Sequence, residues 1–354
     1  PFSSASVISS LSRKIKKLGM RVKCLPISPV NYQDWVDQQG KQRHIISLLA
    51  SKIDSHYLEV VTEKTSEFGL NIDKITRLSG RTAYHNIDCS GRFCVEFSVR
   101  GETRYVDVFR SSLLEFGASH DIDIAFQKYS IYRRSRRLIV FDMDSTLIDT
   151  EVIDELAVEA GIGEQVSAIT ASAMRGELDF EKSLRMRVQL LSGLKEDILL
   201  DVAKRLRLNE GAEYLLKRLR QLGFKTAIVS GGFLFFASRL QSILDVDYVF
   251  ANELDIVDGH LSGGLKGEII DGNRKAELLC ELAIQEGLHL EQVIAVGDGA
   301  NDLPMLQAAG MGVAFKAKPL VRVSAQYAIS HSGLDGILYL MGYSDRDLQA
   351  LGSV

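Results

Sequence analysis

The chain is short of cysteine, of charge imbalance and of long apolar runs, and each shortage removes a class of function. Its 354 residues include four cysteines, Cys24, Cys89, Cys94 and Cys280, and no two of them have the CxxC spacing of a zinc or redox site. Free thiols in a reducing compartment are the simplest reading. No apolar stretch reaches the roughly 18–20 residues that a membrane-spanning helix needs. The N-terminal segment also lacks the apolar core and small-residue cleavage site of a signal peptide. A soluble, cytoplasmic protein is expected, and the start at Pro1 leaves room for a longer natural chain. With 42 basic against 46 acidic residues the formal net charge is only -4, which offers no electrostatic footprint for nucleic acid. The one basic cluster, Arg133, Arg134, Arg136 and Arg137, precedes an apolar strand and reads as a solvated linker.

What is present is ordinary globular material, 46% hydrophobic and 25% charged, in a length that suits two or three domains. Two textures meet near Arg133–Arg137. Before that point the order is strand (Ile45–Ala50), helix (Tyr57–Phe68), strand (Asn71–Leu78), strand (Phe93–Val99), helix (Val106–Phe116), strand (Ile122–Gln127). The third strand is the clearest, because Phe93, Val95, Phe97 and Val99 recur at period two. The βαββαβ order describes a split-βαβ sandwich over residues 41–132. Upstream, Val7–Leu18 reads as an amphipathic helix and Arg21–Ile27 as a strand, the second half of a similar unit, followed by a polar linker over Asn31–Gly40.

After Arg137 the strands become wholly apolar: Leu138–Phe141, Thr226–Ser230, Tyr248–Phe250, Val293–Val296 and Gly312–Phe315. Such runs predict an α/β domain over residues 137–345, a parallel sheet covered by helices on both faces. The helical stretch from Ile153 to about Leu208 is too long for a plain crossover. It is expected to form a separate cap over the strand ends.

Two of these strands end in carboxylates. Leu138–Phe141 runs into Asp142-Met-Asp144-Ser-Thr146, and Val293–Val296 into Gly297-Asp298-Gly-Ala-Asn301-Asp302. The carboxyl ends of parallel strands are where ligands bind in open α/β sheets. Alternation sends Asp142 and Asp144 toward the same cleft. Two such charges about 4 Å apart repel by about 4 kcal/mol at an effective dielectric near 20. A cation must offset this, and convergent carboxylates without thiol or imidazole suit a hard ion such as Mg2+. For either motif alone, an aspartate capping the next helix would be a sufficient explanation; finding both at strand ends is not so easily explained. A third strand ends in Ser230-Gly231-Gly232, whose hydroxyl and amides suit phosphate oxygens at a helix N-terminus. Lys275, near the start of a helix, supplies a fixed positive charge.

Together, Asp142-Met-Asp144-Ser-Thr-Leu, Ser230-Gly-Gly, Lys275 and Gly297-Asp298-Gly-Ala-Asn301-Asp302 resemble the four motifs of the haloacid dehalogenase superfamily of phosphohydrolases, in the same order and with no departure at a catalytic position. The string Phe141–Glu155, with Gly176-Glu-Leu-Asp-Phe180 and Ser183-Leu-Arg-Met-Arg187, is similar to the branch that hydrolyses phosphoserine in the last step of serine biosynthesis. The resemblance implies a Rossmann-like fold, with Asp142 as nucleophile and Asp144 as general acid and then base. It implies Mg2+ on the Asp142 carboxylate, the Asp144 main-chain carbonyl and Asp298. Ser230, Gly231 and Lys275 would hold the phosphoryl group, Asn301 and Asp302 would contact it or orient the site, and Glu151 would take the substrate amine.

Arg187 has a separate argument, because Phe180, Leu184, Arg187 and Leu191 fall on one helix face. An arginine on that apolar stripe is expected to be enclosed, where its planar fork suits a carboxylate, or else forms a structural ion pair. Arg185 falls off the stripe and is expected at the surface. Phe180 would close over substrate or simply pack in the core. The βαββαβ region, with Asn71-Ile-Asp-Lys-Ile-Thr-Arg-Leu-Ser, resembles an ACT domain, and residues 1–40 would hold part of a second copy. That likeness implies a homodimer and an amino-acid effector such as serine. Two alternatives stay open: a related phosphatase or phosphotransferase acting on another small phosphomonoester, and a non-catalytic amino-acid sensor.

Overall fold

The computed structural model describes residues 5–21, 27–38, 40–52, 54–80, 92–102, 105–174 and 177–352. The chain forms two compact units, residues 1–41 and Gln42–Val354. In the first, the expected amphipathic helix spans Ala5–Lys17. The supposed linker is instead a second helix, Pro29–Gln38. Ser28 accounts for it: its hydroxyl accepts from Asn31 N at 3.1 Å, and Pro29 opens the helix where a missing N–H costs nothing. The strand expected over Arg21–Ile27 lies mostly outside the described residues.

The second unit begins with the βαββαβ pattern, as strands β1 (Arg43–Ala50), β2 (Asn71–Arg77), β3 (Phe93–Arg100) and β4 (Asp123–Lys128). They form an antiparallel sheet in the order β2-β3-β1-β4. Successive side chains leave a strand on opposite faces, and here both faces are covered. Ile46, Leu48, Val95 and Phe97 pack with Phe109 and Leu113 of the helix Val106–Ser119. Leu49, Cys94 and Ala125 join the core of the following α/β region.

The connection between the two regions is far from a solvated linker. Arg136 is buried, Arg133 pairs with Glu96 at 2.7 Å and also donates to Leu340 O at 3.0 Å. Arg134 bonds to Gly342 O and to Asp347. Guanidinium groups satisfy carbonyls that end the helix Gly336–Leu340, a use of arginine that net charge alone does not reveal. On β4, the Asp123 carboxylate accepts from three successive amides, Ser330 N at 2.7 Å, His331 N at 3.2 Å and Ser332 N at 2.8 Å.

The larger sheet comprises β5 (Leu138–Phe141), β6 (Lys225–Phe233), β7 (Tyr248–Val257), β8 (His260–Lys266), β9 (Val293–Gly297), β10 (Met311–Phe315) and β11 (Tyr327–Ile329). Its order is β11-β10-β9-β5-β6-β7-β8, parallel except for the β7–β8 hairpin. Alternation along β5 sends Ile139 and Phe141 into one apolar cluster and Leu138 and Val140 into another. This is the expected doubly covered sheet. The cap follows β5 as helices Val152–Glu159, Gly163–Met174, Phe180–Gln189 and Asp197–Ala203. The β7–β8 hairpin turns at Asp258-Gly259, both at positive φ (49° and 74°), as a primed turn requires. The sequence predicts only a strand over Tyr248–Phe250 here, and neither its extension to Val257 nor β8. Leu261 of β8 exchanges hydrogen bonds with the cap through Gly193 N and Leu194 O, each at 2.8 Å. Among the described residues no helix is long and apolar enough to cross a membrane.

Candidate active site

β9, β5 and β6 are neighbours at the centre of the sheet, so their carboxyl ends bring three distant segments to one place. Asp142 leaves β5 with its N–H still paired to Val296 O of β9 at 2.8 Å. The chain then makes a tight turn, Met143–Leu147, in which Ser145 takes a left-handed φ of 55°. That turn buries both Asp142 and Asp144. Asp144 accepts from Val152 N, at the start of the first cap helix, at 3.1 Å. A Cβ on Gly232 would collide with the Asp144 carboxylate, so the glycine at the end of β6 is what lets that carboxyl into the cleft.

Lys275 is fully buried on the helix Gly272–Gln285. Its ammonium lies 2.9 Å from Asp142 Oδ1 and 2.7 Å from Asp302 Oδ1. Asp142 Oδ1 also accepts from Met143 N at 2.8 Å, which fixes the rotation of the carboxylate. Asp302 is held by Gly299 N at 2.9 Å, and Gly297 has no room for a side chain beside it. Asn301 lies in the short turn Ala300–Asp302, packed between Gly299 and Gly272.

Asp142, Asp298 and Asp302 each present an oxygen to a common point, all within 4.8 Å of one another. One ammonium does not balance three carboxylates. Burial above all, and then Asp302, push the Asp142 carboxyl well above the usual carboxylate range, against the opposing pull of Lys275. Burial, Asp302 and Glu151 push Asp298 up to about 7. Burial, then Glu151 and Asp142, raise Asp144 well above its ordinary value. Burial alone would lower Lys275, but Asp142 and Asp302 outweigh it and hold the ammonium charged. A buried, oxygen-only cluster short of positive charge is the donor set that a hard divalent cation fits.

The residues expected near the phosphate and substrate converge on the same cleft. Ser230 is buried, and its hydroxyl accepts from Gly232 N at 2.9 Å. The Phe180 ring packs so closely on Gly231 that a Cβ there would meet it at 2.8 Å, bringing the cap down onto the β6 loop. Glu151 is exposed at the mouth, accepting from Ser145 Oγ at 2.8 Å. Arg187 is half-buried on the cap; burial lowers its pKa, opposed by Asp154, Glu151 and Asp144. It forms no ion pair with a described residue, its Nε donating only to Ser183 O at 3.3 Å. Arg185 is exposed and bridges Glu181 at 2.8 Å.

The sequence reading passed over three contributors. Thr146 Oγ1 donates to Asp298 Oδ1 at 3.3 Å. Asn252, buried on β7, donates to Gly231 O and accepts from Ile270 N, both at 2.8 Å. Asn209 supports the Met143–Leu147 turn. Each is a polar residue within a turn, a strand or the chain after the cap, a weak signal without a partner in view.

Comparison with known proteins gives a consistent result. Residues 136–310 match the family of haloacid dehalogenase-like hydrolases. Over 313 residues the chain is 42% identical to the phosphoserine phosphatase of Streptomyces coelicolor, covering 88% of this chain and 73% of that one. Its fold resembles a crystal structure of a probable phosphoserine phosphatase from Vibrio cholerae, at TM-score 0.66 and 33% identity over 86% of this chain and 88% of the other. A solved phospho-aspartyl intermediate analogue of phosphoserine phosphatase is 45% identical, at TM-score 0.55, over 58% of this chain and 98% of that one.

Proposed function

Because the chain belongs to the haloacid dehalogenase-like hydrolases, and to the phosphoserine phosphatases among them, we propose that it cleaves phosphoserine through an aspartyl-phosphate on Asp142. The observation that carries this reading is the pair of carboxyls on one turn. Burial raises both carboxyls, but their neighbours differ. Asp142 is locked against the Lys275 ammonium at 2.9 Å and Met143 N, which favour its anion, while Asp144, two residues on, has Glu151 and Asp142 as neighbours, which favour its acid. One is placed to attack, the other to give a proton.

In the first step an Asp142 oxygen bonds to phosphorus as the bond to the serine oxygen breaks, and Asp144 delivers its proton to that leaving oxygen. In the second, Asp144 takes a proton from water as the water oxygen bonds to phosphorus and the bond to the Asp142 oxygen breaks, which releases phosphate and restores both carboxyls. Lys275 holds Asp142 and neutralises the phosphoryl oxygens, with the Ser230 hydroxyl and the β6 loop of Gly231 beside it. Asn301 and Asp302 orient this edge of the site. The carboxylates of Asp142 and Asp298 and the main-chain carbonyl of Asp144 would hold Mg2+, which when bound supplies Lewis-acid neutralisation of the phosphoryl charge.

Glu151 at the mouth takes the substrate ammonium and Arg187 its carboxylate, a guanidinium free of other ion pairs among the described residues being suited to that task. Phe180, against Gly231, keeps water from the phosphoryl group. The order of the four-stranded sheet supports an ACT-like module, and to that likeness belong a homodimer and an amino-acid effector. A panel of small phosphomonoesters, assayed after chelation and after restoring Mg2+, tests the assignment. Phosphoserine should have the highest kcat/KM and should need the metal. A tenfold preference for another ester would overturn the substrate.

A further inference from the structure

The turn that carries Asp144 contains a strained residue, and its support comes from outside the catalytic cleft. Ser145 at φ 55° sits in a region that costs a non-glycine residue about 1–2 kcal/mol. The next three carbonyls along the chain are those of Thr146, Leu147 and Ile148. Asn209, where the cap returns to the sheet, takes up all three. Its side-chain Nδ2 donates to Thr146 O at 2.9 Å and Ile148 O at 3.0 Å, and its main-chain N–H donates to Leu147 O at 2.9 Å.

Asn209 is itself clamped. It is buried, and Lys316 Nζ donates to its Oδ1 at 3.2 Å. An ammonium has only donors, so this contact decides which end of the amide faces the turn. On the far side, Glu210 O accepts from Leu334 N at 2.8 Å. Gly211, at φ 81°, lies so close to Asp335 that a Cβ would strike its carboxylate. Asp335 is buried and pairs with Arg92, the residue before β3. The clamp therefore reaches from the N-terminal sheet to the turn beneath Asp144.

We propose that Asn209 is a positioning residue for the phosphatase reaction. Its amide fixes the 146–148 main chain and so sets both the Asp144 carboxyl and the Thr146 hydroxyl that reaches Asp298. This rests on the roles given above to Asp142 and Asp144. Asn209 touches none of the groups assigned to substrate, so its loss falls on kcat.

Asn209→Asp keeps the shape of the side chain and turns an acceptor toward two carbonyls. With phosphoserine, kcat should fall about 10²-fold, the scale of a small misplacement of catalytic groups, while KM shifts less than about threefold. The same loss should appear with p-nitrophenyl phosphate. A variant with native circular dichroism and wild-type kcat would overturn the proposal. Should Asn209→Asp fail to fold, Lys316→Met decides, since it frees the amide to turn over. A fall in kcat of about tenfold at unchanged KM and melting temperature supports the clamp, and wild-type kcat refutes it. A parent protein active on p-nitrophenyl phosphate but not on phosphoserine would refute the substrate and leave the Asn209 comparison intact on the first ester.

Discussion

The Lys275 ammonium lies 2.7 Å from the Asp302 carboxylate, and solvent reaches neither group. The pair forms the back wall of the site. Asp302 keeps the lysine charged and aimed at Asp142, so the positive charge nearest the nucleophile requires no rearrangement during reaction.

Replacing Lys275 by Met retains the length of the side chain and removes the charge. The kcat for phosphoserine should fall about 10²–10³-fold, the range found when one preorganised charge-stabilising group is lost. Steady-state kinetics at saturating Mg2+ checks this. A loss confined to KM would place Lys275 in ground-state binding instead.

For Arg187 the expected signature is selectivity. Arg187→Ala should raise KM for phosphoserine about 10–100-fold, as loss of a charge-assisted hydrogen bond worth about 1.5–3 kcal/mol implies. With p-nitrophenyl phosphate, which has no carboxylate, kcat/KM should barely change. Equal losses on both esters would remove Arg187 from substrate recognition and return it to a structural role.

The three amides gathered by Asp123 predict a stability effect. Asp123→Ala leaves Ser330, His331 and Ser332 without their acceptor, and unfolding in urea should show a loss of about 2–4 kcal/mol. Phosphoserine KM should stay at its parent value. A variant as stable as the parent would mean that water replaces the carboxylate at no cost.

Much of this site is legible in the sequence because its catalytic groups sit at the ends of apolar strands, where a continuous apolar run stops and Asp, Ser or Gly begins. Asp142, Ser230 and Asp298 could be placed that way. The stripe containing Arg187 gave its partial enclosure, and Arg185, off that stripe, is at the surface. What stayed hidden depends on partners far along the chain. Arg133 and Arg136 resemble a charged linker until the carbonyl at Leu340 and the main chain of the same segment are seen to accept from them. Asn209 and Asn252 gain meaning only through carbonyls that the fold brings to them. The hairpin after Phe250 was missed because its strands are partly polar, although Asp258-Gly259 is a turn signal. The helix at Pro29–Gln38 was missed because polar residues outweighed the Ser28-Pro29 start.

The most direct measurement is a rapid acid quench of phosphate-labelled phosphoserine mixed with the enzyme, followed by peptide mapping. A covalent route through Asp142 predicts that label appears before steady state, is released by hydroxylamine as an acyl phosphate would be, and maps to the peptide containing Asp142. It should vanish in Asp142→Asn. Full turnover by Asp142→Asn, or label carried on another residue, would contradict the mechanism.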